Sequence, residues 1–413
     1  RYMARDVSPP RGMRDFLPQE KAKRERALRV IRDVYASHGF EEIETPVVED
    51  FERLHSGLGG DNEKLAFSVL KRGLDKEALE AAANSGDAHD LADLGLRFDL
   101  TVPLARFYAT HRAELPTVFR AIQIAPVWRA ERPQKGRYRQ FVQCDIDIIG
   151  EAGQLAEVEL ITATSAVLST LGLEGCTIRI NDRRILAGIL EYCGFAPERF
   201  GSALISIDKL DKIAAEGVVA ELAEKFDAGV AERAAAWLNA IAGDLPIPAE
   251  LQEIFSAIEA RFGAGRLRFD PTLVRGMGYY TGTIFEIEHP ESGSSIGGGG
   301  RYDGMVGRWL GTDAPAVGIS IGFERAVDLV EANVDNSKSL VLVLDSAEPA
   351  VIGNALNVQQ QAIEAGYRVR LEQRPKKLNN LLDSMAEQGF GSFATIGEEF
   401  VNFADLSLRN IAN

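Results

Sequence analysis

Cysteine, histidine and tryptophan are scarce in this sequence of 413 residues, which has three, five and three of them. Cys144, Cys176 and Cys193 are too few for a disulfide framework, and they lack the short spacing of zinc ligands. The scarcity of cysteine favours a reducing compartment, and we predict a cytoplasmic protein. No apolar run approaches the roughly 20 residues that cross a bilayer, so no membrane association is predicted.

Basic residues are also in the minority. Lys and Arg number 46 against 61 Asp and Glu, which gives a formal net charge of −15 at pH 7. This balance excludes a protein that binds nucleic acid through its bulk charge, such as a histone, but it allows a local basic groove. Hydrophobic residues make up 46% and charged residues 26%, as in soluble globular proteins. At roughly 100–200 residues per domain, the length predicts two to four domains.

The spacing of apolar residues predicts a mixed helix and strand core in the first part of the chain. Residues 18–38 follow helical spacing, with Pro18 in the first turn and Gly39 as the stop. Residues 119–150 are predicted to form two strands that are joined by a basic turn.

A change of composition at residue 183 predicts an insertion. From 183 to 266, alanine, leucine, glutamate and lysine dominate, and one strand signal remains at Ala203–Ile207. We therefore predict an inserted, mostly helical domain. Strand signals return at Leu273–Val274 and Thr283–Ile287, which continues the core to residue 330.

Strands and helices alternate regularly after a polar, linker-like stretch at 331–338. Such alternation implies a small α/β domain with a largely parallel sheet. Its predicted elements are the strands 340–344, 368–371 and 393–396 and the helices 350–365 and 377–388. The domain boundaries of the whole chain are predicted at 1–182, 183–266, 267–330 and 339–413.

A basic segment at residues 128–139 contrasts with the acidic chain, since it has five cations and one anion. Arg129 would lie at a strand end with Glu131 two residues later, and this pair suits a nucleotide. Guanidinium groups bind phosphate through two hydrogen bonds, and a carboxylate can accept one from an exocyclic amine. The pattern is also typical of a solvated hairpin turn, so both interpretations stay open.

Two further segments bring acidic and polar side chains together. On the strand after the basic segment, alternation puts Gln143, Asp145 and Asp147 on the face opposite an apolar one. Asp99 and Thr101 share a face if their segment is extended. These groups suit the ammonium group and a polar side chain of a small ligand. The structural alternatives are the wet face of an antiparallel sheet and a helix-capping turn.

Three glycine-containing segments are also candidates for ligand contacts. Arg275 precedes Tyr279 and Tyr280. The arginine could stabilise negative charge on a transferring phosphate. The tyrosine rings could pack against a ligand and hydrogen-bond it through their hydroxyl groups. The four glycines at 297–300 match neither the P-loop nor the Rossmann fingerprint. They are therefore either a flexible loop or a backbone wall close to a ligand. Arg325 is predicted in the first turn of a helix, where anions bind well.

Taken together, these segments resemble the class II aminoacyl-tRNA synthetases. Arg129 and Glu131 resemble motif 2 of that class, Arg325 resembles motif 3, and Pro46 resembles the motif 1 proline at the dimer interface. A narrower resemblance, to histidyl-tRNA synthetases, extends over nearly the whole chain. The segments that carry it are 129–141, 275–286 and 297–303.

The resemblance implies roles for individual residues. The residues implied in catalysis are Arg275, Arg129 and Gln143. The residues implied in histidine binding are Asp99, Leu100, Thr101, Arg129, Gln143, Asp147, Arg275, Tyr279 and Tyr280. The residues implied in ATP binding are Arg129, Glu131, Arg137 and Arg325, and no metal site held by the protein is implied.

The resemblance also implies a fold and an activity. The fold is an α+β class II catalytic domain, an antiparallel sheet flanked by helices, with a helical insertion and a C-terminal α/β anticodon-binding domain. The activity is that of a homodimeric histidine–tRNA ligase, which uses L-histidine, ATP with Mg²⁺ and tRNA(His). The alternative is a histidine-sensing paralogue that regulates ATP phosphoribosyltransferase, although such paralogues tend to lose catalytic motifs that this chain keeps.

The C-terminal domain has five cations within ten residues, which are candidates for RNA contacts or for a solvated helix start. They are Arg368, Arg370, Arg374, Lys376 and Lys377. No closing helix is predicted after Leu406–Leu408, which leaves the extent of the anticodon site open.

Overall fold

The computed structural model describes residues 7–55, 65–133, 136–241, 245–274, 279–331, 337–399 and 401–411, except the side chains of residues 88–89. The chain divides into two compact units. One comprises residues 1–15 and 27–330, and the other comprises residues 16–26 and 331–413. No helix among the described residues is long and apolar enough to cross a membrane.

The first unit contains most of the secondary structure. Its strands are β1 (Glu41–Glu42), β2 (Val48–Asp50), β3 (Phe67–Leu70), β4 (Ala92–Leu96), β5 (Phe119–Trp128), β6 (Gln140–Ile149), β7 (Thr177–Asp182), β8 (Leu267–Phe269), β9 (Thr283–Glu288), β10 (Gly297–Arg301) and β11 (Ala316–Gly322). Helix α1 (Pro18–Ser37) has residues of both units. The other helices are α2 (Phe51–His55), α3 (Lys76–Ser85), α4 (Thr101–His111), α5 (Leu155–Thr170), α6 (Arg183–Cys193), α7 (Phe200–Ile207), α8 (Leu210–Lys225), α9 (Ala228–Ala240), α10 (Gln252–Phe262), α11 (Asp303–Leu310) and α12 (Phe323–Leu329).

The centre of the first unit is an eight-stranded sheet in the order β1-β5-β6-β11-β10-β9-β7-β8. The six strands from β5 to β7 pair antiparallel, and only the edge strands β1 and β8 join in parallel. A smaller antiparallel sheet has the order β2-β4-β3. This is the antiparallel sheet with flanking helices that the sequence predicts.

Strand β6 explains why one face of the large sheet is free for a ligand. Cys144, Ile146 and Ile148 are fully buried, and they pack in one apolar cluster with residues of α5, which is buried almost all round. Because side chains alternate along a strand, the residues between them face the other side. The predicted polar face of β6 therefore lies opposite the core.

The four glycines at 297–300 are not a flexible loop. They form β10, which is fully buried between β9 and β11. A Cβ atom on Gly299 would lie 2.0 Å from the carbonyl oxygen of Gly318 and 2.7 Å from Cα of Ile319. Only glycine permits the neighbouring strand to approach this closely, so the run is a packing requirement rather than a source of mobility.

The predicted insertion is helical in the structure, and one strand prediction inside it is wrong. Ala203–Ile207 belongs to helix α7, because its apolar residues pack with α6, α8 and α9 in a helical cluster. Leu273–Val274 is also not a strand; both residues are buried, but they lie in a loop after β8. A short buried apolar run does not distinguish a strand from a helix or a loop, which accounts for both errors.

The second unit has a four-stranded sheet in the order β13-β12-β14-β15. Its elements are β12 (Ser339–Leu344), α13 (Pro349–Glu364), β13 (Arg368–Gln373), α14 (Leu378–Glu387), β14 (Ser392–Ile396) and β15 (Arg409–Asn410). β12 pairs in parallel with β13 and β14, and β15 is antiparallel. β12 is buried on both faces, which confirms the predicted largely parallel α/β arrangement.

Candidate active site

A cavity of about 670 Å³ lies on the polar face of the large sheet. Strands β6, β10 and β11 form part of its wall, together with residues just before α4 and after β5. The junction of α7 and α8 adds Asp208, and the first turn of α8 adds Asp211 and Lys212, which sequence reasoning did not assign to a site. The cavity has an acidic part, made mainly by β6, and a part that contains arginines.

Three buried carboxyl groups form the acidic part of the cavity: Asp99, Asp145 and Asp147. Burial is the main reason why each pKa is raised, since the charged form loses its water. The pKa of Asp99 rises to about 6, although the Val102 N–H and Arg129 oppose the shift. The pKa of Asp147 rises to about 7, and that of Asp145 rises well above its usual value, in part because the carboxylates repel each other. A cluster of this kind favours a cationic ligand.

Three tyrosine side chains form a cluster, and one of them contacts Asp147. The Tyr302 hydroxyl donates a hydrogen bond of 2.5 Å to Oδ1 of Asp147. The ring of Tyr279 lies 4.6 Å from that of Tyr280 and 6.4 Å from that of Tyr302, both in edge-to-face geometry. Aromatic walls with a carboxyl group suit a flat polar group that has N–H donors.

The segment that carries Asp99 turns into a helix and is not extended. Oδ1 of Asp99 accepts a hydrogen bond of 3.2 Å from the backbone N–H of Val102, so the helix-capping interpretation applies as well as the cavity one. Thr101, the first residue of α4, lines the cavity beside Asp99. Leu100 is fully buried and is not among the described lining residues; its carbonyl accepts a hydrogen bond from Gln123 Nε2. The predicted role of Leu100 in histidine binding stays a prediction.

Arg129 lies directly after the last residue of β5, at the predicted strand end. Its Nε donates a hydrogen bond of 3.0 Å to the carbonyl of Phe98, and its guanidinium carbon lies 4.9 Å from the centre of the Phe141 ring. Glu131 and Arg137 also line the cavity, and their charged atoms are 3.9 Å apart. Both of these side chains are partly exposed, so this pair adds little stability and can separate to meet a ligand.

Arg325 lies in the first turn of α12, as predicted. Its Nη1 donates a hydrogen bond of 2.5 Å to the carbonyl of Ser295, and its Nε donates one of 3.3 Å to the carbonyl of Gly136. These bonds hold the guanidinium group between β10 and the basic segment. Arg129 and Arg325 thus line one cavity although they are far apart in sequence.

Arg14 connects the N-terminal segment to this part of the cavity. It forms an ion pair with the buried carboxylate of Glu324, and its guanidinium carbon lies 3.5 Å from the centre of the Tyr138 ring. Oε1 of Glu324 also accepts a hydrogen bond of 3.1 Å from the backbone N–H of Val142 on β6. Arg14 therefore lies next to the arginine part of the site, and sequence reasoning did not identify it.

Arg275 lies outside the described residues, because the structure describes residues up to 274 and from 279. Its predicted role in catalysis and in histidine binding stays a prediction. The flanking residues are described: Val274 lines the cavity on one side of the gap, and Tyr279 lines it on the other.

Comparison with known proteins identifies the family. A family model described as "Histidyl-tRNA synthetase" matches residues 12–326. A "Histidine--tRNA ligase" of Leifsonia xyli subsp. xyli is 62% identical over 420 residues, which covers 95% of this chain and 96% of that protein. This chain belongs to the histidyl-tRNA synthetase family. The predicted fold class and aminoacyl-tRNA ligase activity are confirmed.

Solved structures agree with this family. The histidyl-tRNA synthetase of Nostoc sp. PCC 7120 matches with a TM-score of 0.78 and 27% identity, covering 99% of this chain and 95% of that one. A Bacillus halodurans structure, described as an ATP phosphoribosyltransferase regulatory subunit/histidyl-tRNA synthetase, matches with a TM-score of 0.73 at 19% identity. It covers 96% of this chain and 99% of that one. At that identity the match shows a shared fold and does not favour the paralogue.

Sequence reasoning treated two residues of the site differently. The strand pattern placed Asp145 on the polar face of β6, between Gln143 and Asp147, but the family resemblance assigned it no role of its own. Tyr302 was part of the glycine-rich segment and was missed as a partner of Asp147, since its hydrogen bond joins residues that are 155 positions apart and carried no local signal.

The C-terminal cations divide into two groups. Arg368 and Arg370 both stack on Phe390, with guanidinium carbons 4.0 and 5.2 Å from the ring centre, and Arg374 pairs with Asp345. These three arginines already have partners within the second unit. By contrast, Lys376 and Lys377 line a second, open cavity of about 580 Å³.

Proposed function

We propose that this chain activates L-histidine with ATP and transfers the histidyl group to tRNA(His). The histidine carboxylate attacks the α-phosphorus of ATP, pyrophosphate leaves, and the mixed anhydride then esterifies the 3′ end of the tRNA. The observation that carries this proposal is one cavity with buried carboxyl groups in one part and arginines in another. Such a cavity suits an ammonium compound whose carboxylate meets a phosphate.

The acidic part binds histidine in this proposal. Asp99, Thr101 and Gln143 hold the amino group, and Asp147 with its tyrosines holds the imidazole ring. A hydrogen bond from Tyr302 orients the Asp147 carboxyl group, which fixes the position of the ring. The high pKa of Asp147 supports this role, because an N–H donor in the pocket would compensate a carboxylate that lacks water.

The arginine part binds ATP and neutralises its charge. Arg129 contacts the α-phosphate, Glu131 takes the adenine side, and Arg137 and Arg325 are further contacts with ATP. Catalysis by such a site is positioning together with charge neutralisation, and no covalent enzyme intermediate is needed. Arg275 is the further cation that the family resemblance implies at the α-phosphate.

ATP enters with Mg²⁺ as part of the substrate. Among the described residues no cluster of three His, Cys, Asp or Glu could hold a metal ion. Mg²⁺ commonly binds through substrate phosphates and few carboxylates, and we propose that the ATP phosphates carry it here. No step of the proposal depends on a metal ligand from the protein.

The second unit is proposed to bind the anticodon of the tRNA. Lys376 and Lys377 support this assignment better than the three arginines, because those already have partners within the unit. The homodimer, the dimer-interface role of Pro46, the domain boundaries and the cytoplasmic location stay predictions.

The deciding experiment is ATP–pyrophosphate exchange with each of the twenty amino acids in turn. We expect exchange with histidine alone. A folded protein that shows no exchange with histidine would reject the ligase, and stimulation of an added ATP phosphoribosyltransferase catalytic subunit would then favour the paralogue. Charging of a tRNA(His) transcript tests the second step.

A further inference from the structure

Two hydrogen-bond acceptors on β6 lack a partner within the described residues. They are Oε1 of Gln143 and Oδ1 of Asp145, both buried. Both side chains line the cavity. Buried polar atoms in native proteins are nearly always hydrogen-bonded, so two orphan acceptors two residues apart point to a ligand that donates hydrogen bonds.

The surroundings of Asp145 give it no complete structural partner. Its neighbours in the sheet are Gln123 on β5 and Ser320 on β11. Ser320 hydrogen-bonds the carboxyl group, but the Gln123 amide donates to the carbonyl of Leu100 instead. One oxygen of a side chain that is only 5% exposed is thus left facing the cavity.

The order of residues along β6 indicates which part of the substrate reaches Asp145. Gln140, at the start of β6, pairs with Trp128, the neighbour of Arg129, so this end of the strand is near the arginine proposed to contact the α-phosphate. Asp147, with Tyr302, lies farther along the strand. An amino acid whose carboxylate points to the phosphates and whose side chain reaches Asp147 places its α-ammonium group between them, at Gln143 and Asp145.

We propose that Asp145 is a further substrate-binding residue, whose carboxyl group accepts a hydrogen bond from the α-ammonium group of histidine. An ammonium group has three N–H donors. Asp145 adds a buried carboxyl oxygen to the proposed partners Asp99, Thr101 and Gln143, and the charge of the ligand offsets the repulsion between the carboxylates. This inference rests on the proposed function and adds a residue that the family resemblance does not assign.

The test compares the wild type with Asp145→Asn, which keeps the size of the side chain and removes its charge. We expect the KM for histidine in pyrophosphate exchange, and the inhibition constant of histidinol, to rise about 10- to 100-fold, as for loss of a charge-assisted hydrogen bond. The inhibition constant of 3-(imidazol-4-yl)propionate, which lacks the amino group, should stay unchanged. The KM for ATP should also stay unchanged.

Two outcomes would overturn the inference: an unchanged KM for histidine, or an equal loss of affinity for the analogue without an amino group. Ser165→Ala is the matched control, since Ser165 is another buried polar residue without a partner in the described part, but it lies on α5 away from the cavity. If Asp145→Asn does not fold, Ser320→Ala should raise the same two constants by a smaller factor. A wild-type protein without histidine-dependent exchange would reject the proposed function and, with it, this inference.

Discussion

Replacing Asp147 with asparagine should make the ligand-free protein more stable in alkaline solution while it impairs histidine binding. Asp147 is 4% exposed, and its pKa is about 7 in the folded chain against 3.8 when unfolded. The folded state therefore holds a proton that the unfolded state lacks between about pH 4 and pH 7, so this group lowers stability as pH rises through that window. Asparagine removes the titration but still accepts the hydrogen bond of Tyr302.

The size of the effect follows from the same pKa values. Each unit of pKa difference between the folded and unfolded chain corresponds to about 1.36 kcal/mol of stability. Full ionisation of Asp147 above pH 7 therefore lowers the free energy of unfolding by about 4 kcal/mol, and about 3 kcal/mol of this loss develops between pH 5 and pH 8. The free energy of unfolding of Asp147→Asn, minus that of the wild type, should grow by up to this amount over the same range. A change in packing alters the free energy of unfolding equally at both pH values, so it cancels from this comparison.

Urea unfolding without ligand at pH 5 and pH 8 measures this difference. Saturating histidine at pH 8 should raise the midpoint of the wild type more than that of the variant, because the ligand interacts with the Asp147 carboxylate. A difference between the two proteins that does not change with pH, or that shrinks as pH rises, would refute the reasoning. Such a result would mean that the pKa of the Asp147 carboxyl group is not raised in the folded protein.

Three further predictions concern other parts of the site. Gly299→Ala should lower stability by roughly 1–3 kcal/mol and abolish pyrophosphate exchange, because its Cβ would meet the Gly318 carbonyl at 2.0 Å. Gly304→Ala is the control, because a Cβ there meets nothing within 4 Å, and it should keep both the stability and the exchange activity of the wild type. Thermal unfolding and exchange assays measure the two effects. Arg14→Ala should raise the KM for ATP several-fold at an unchanged KM for histidine, and a normal KM for ATP would remove Arg14 from the site. Arg275→Ala should cut adenylate formation by orders of magnitude with little change in histidine affinity, and near-normal exchange would contradict its role.

The polar face of β6 could be predicted because the side chains of a strand alternate strictly, whatever the rest of the fold does. The arginine after β5 and the arginine in the first turn of α12 carried local signals too, from charge and from glycine. By contrast, the Tyr302–Asp147 bond and the Arg14–Glu324 pair join distant residues, and no local pattern encodes such contacts. The helix at Ala203–Ile207 was missed because its apolar run is set by packing against other helices.

The glycine strand β10 also limits how the substrate range of this enzyme can change. Gly297, Gly298 and Gly299 line the cavity with backbone, and a side chain at Gly297 or Gly299 would collide with β11. The bottom of the pocket therefore cannot be reshaped one residue at a time, since each enlargement first disrupts the sheet. New amino acid specificity would have to arise on β6 and on the tyrosines, where side chains can be exchanged without moving a strand.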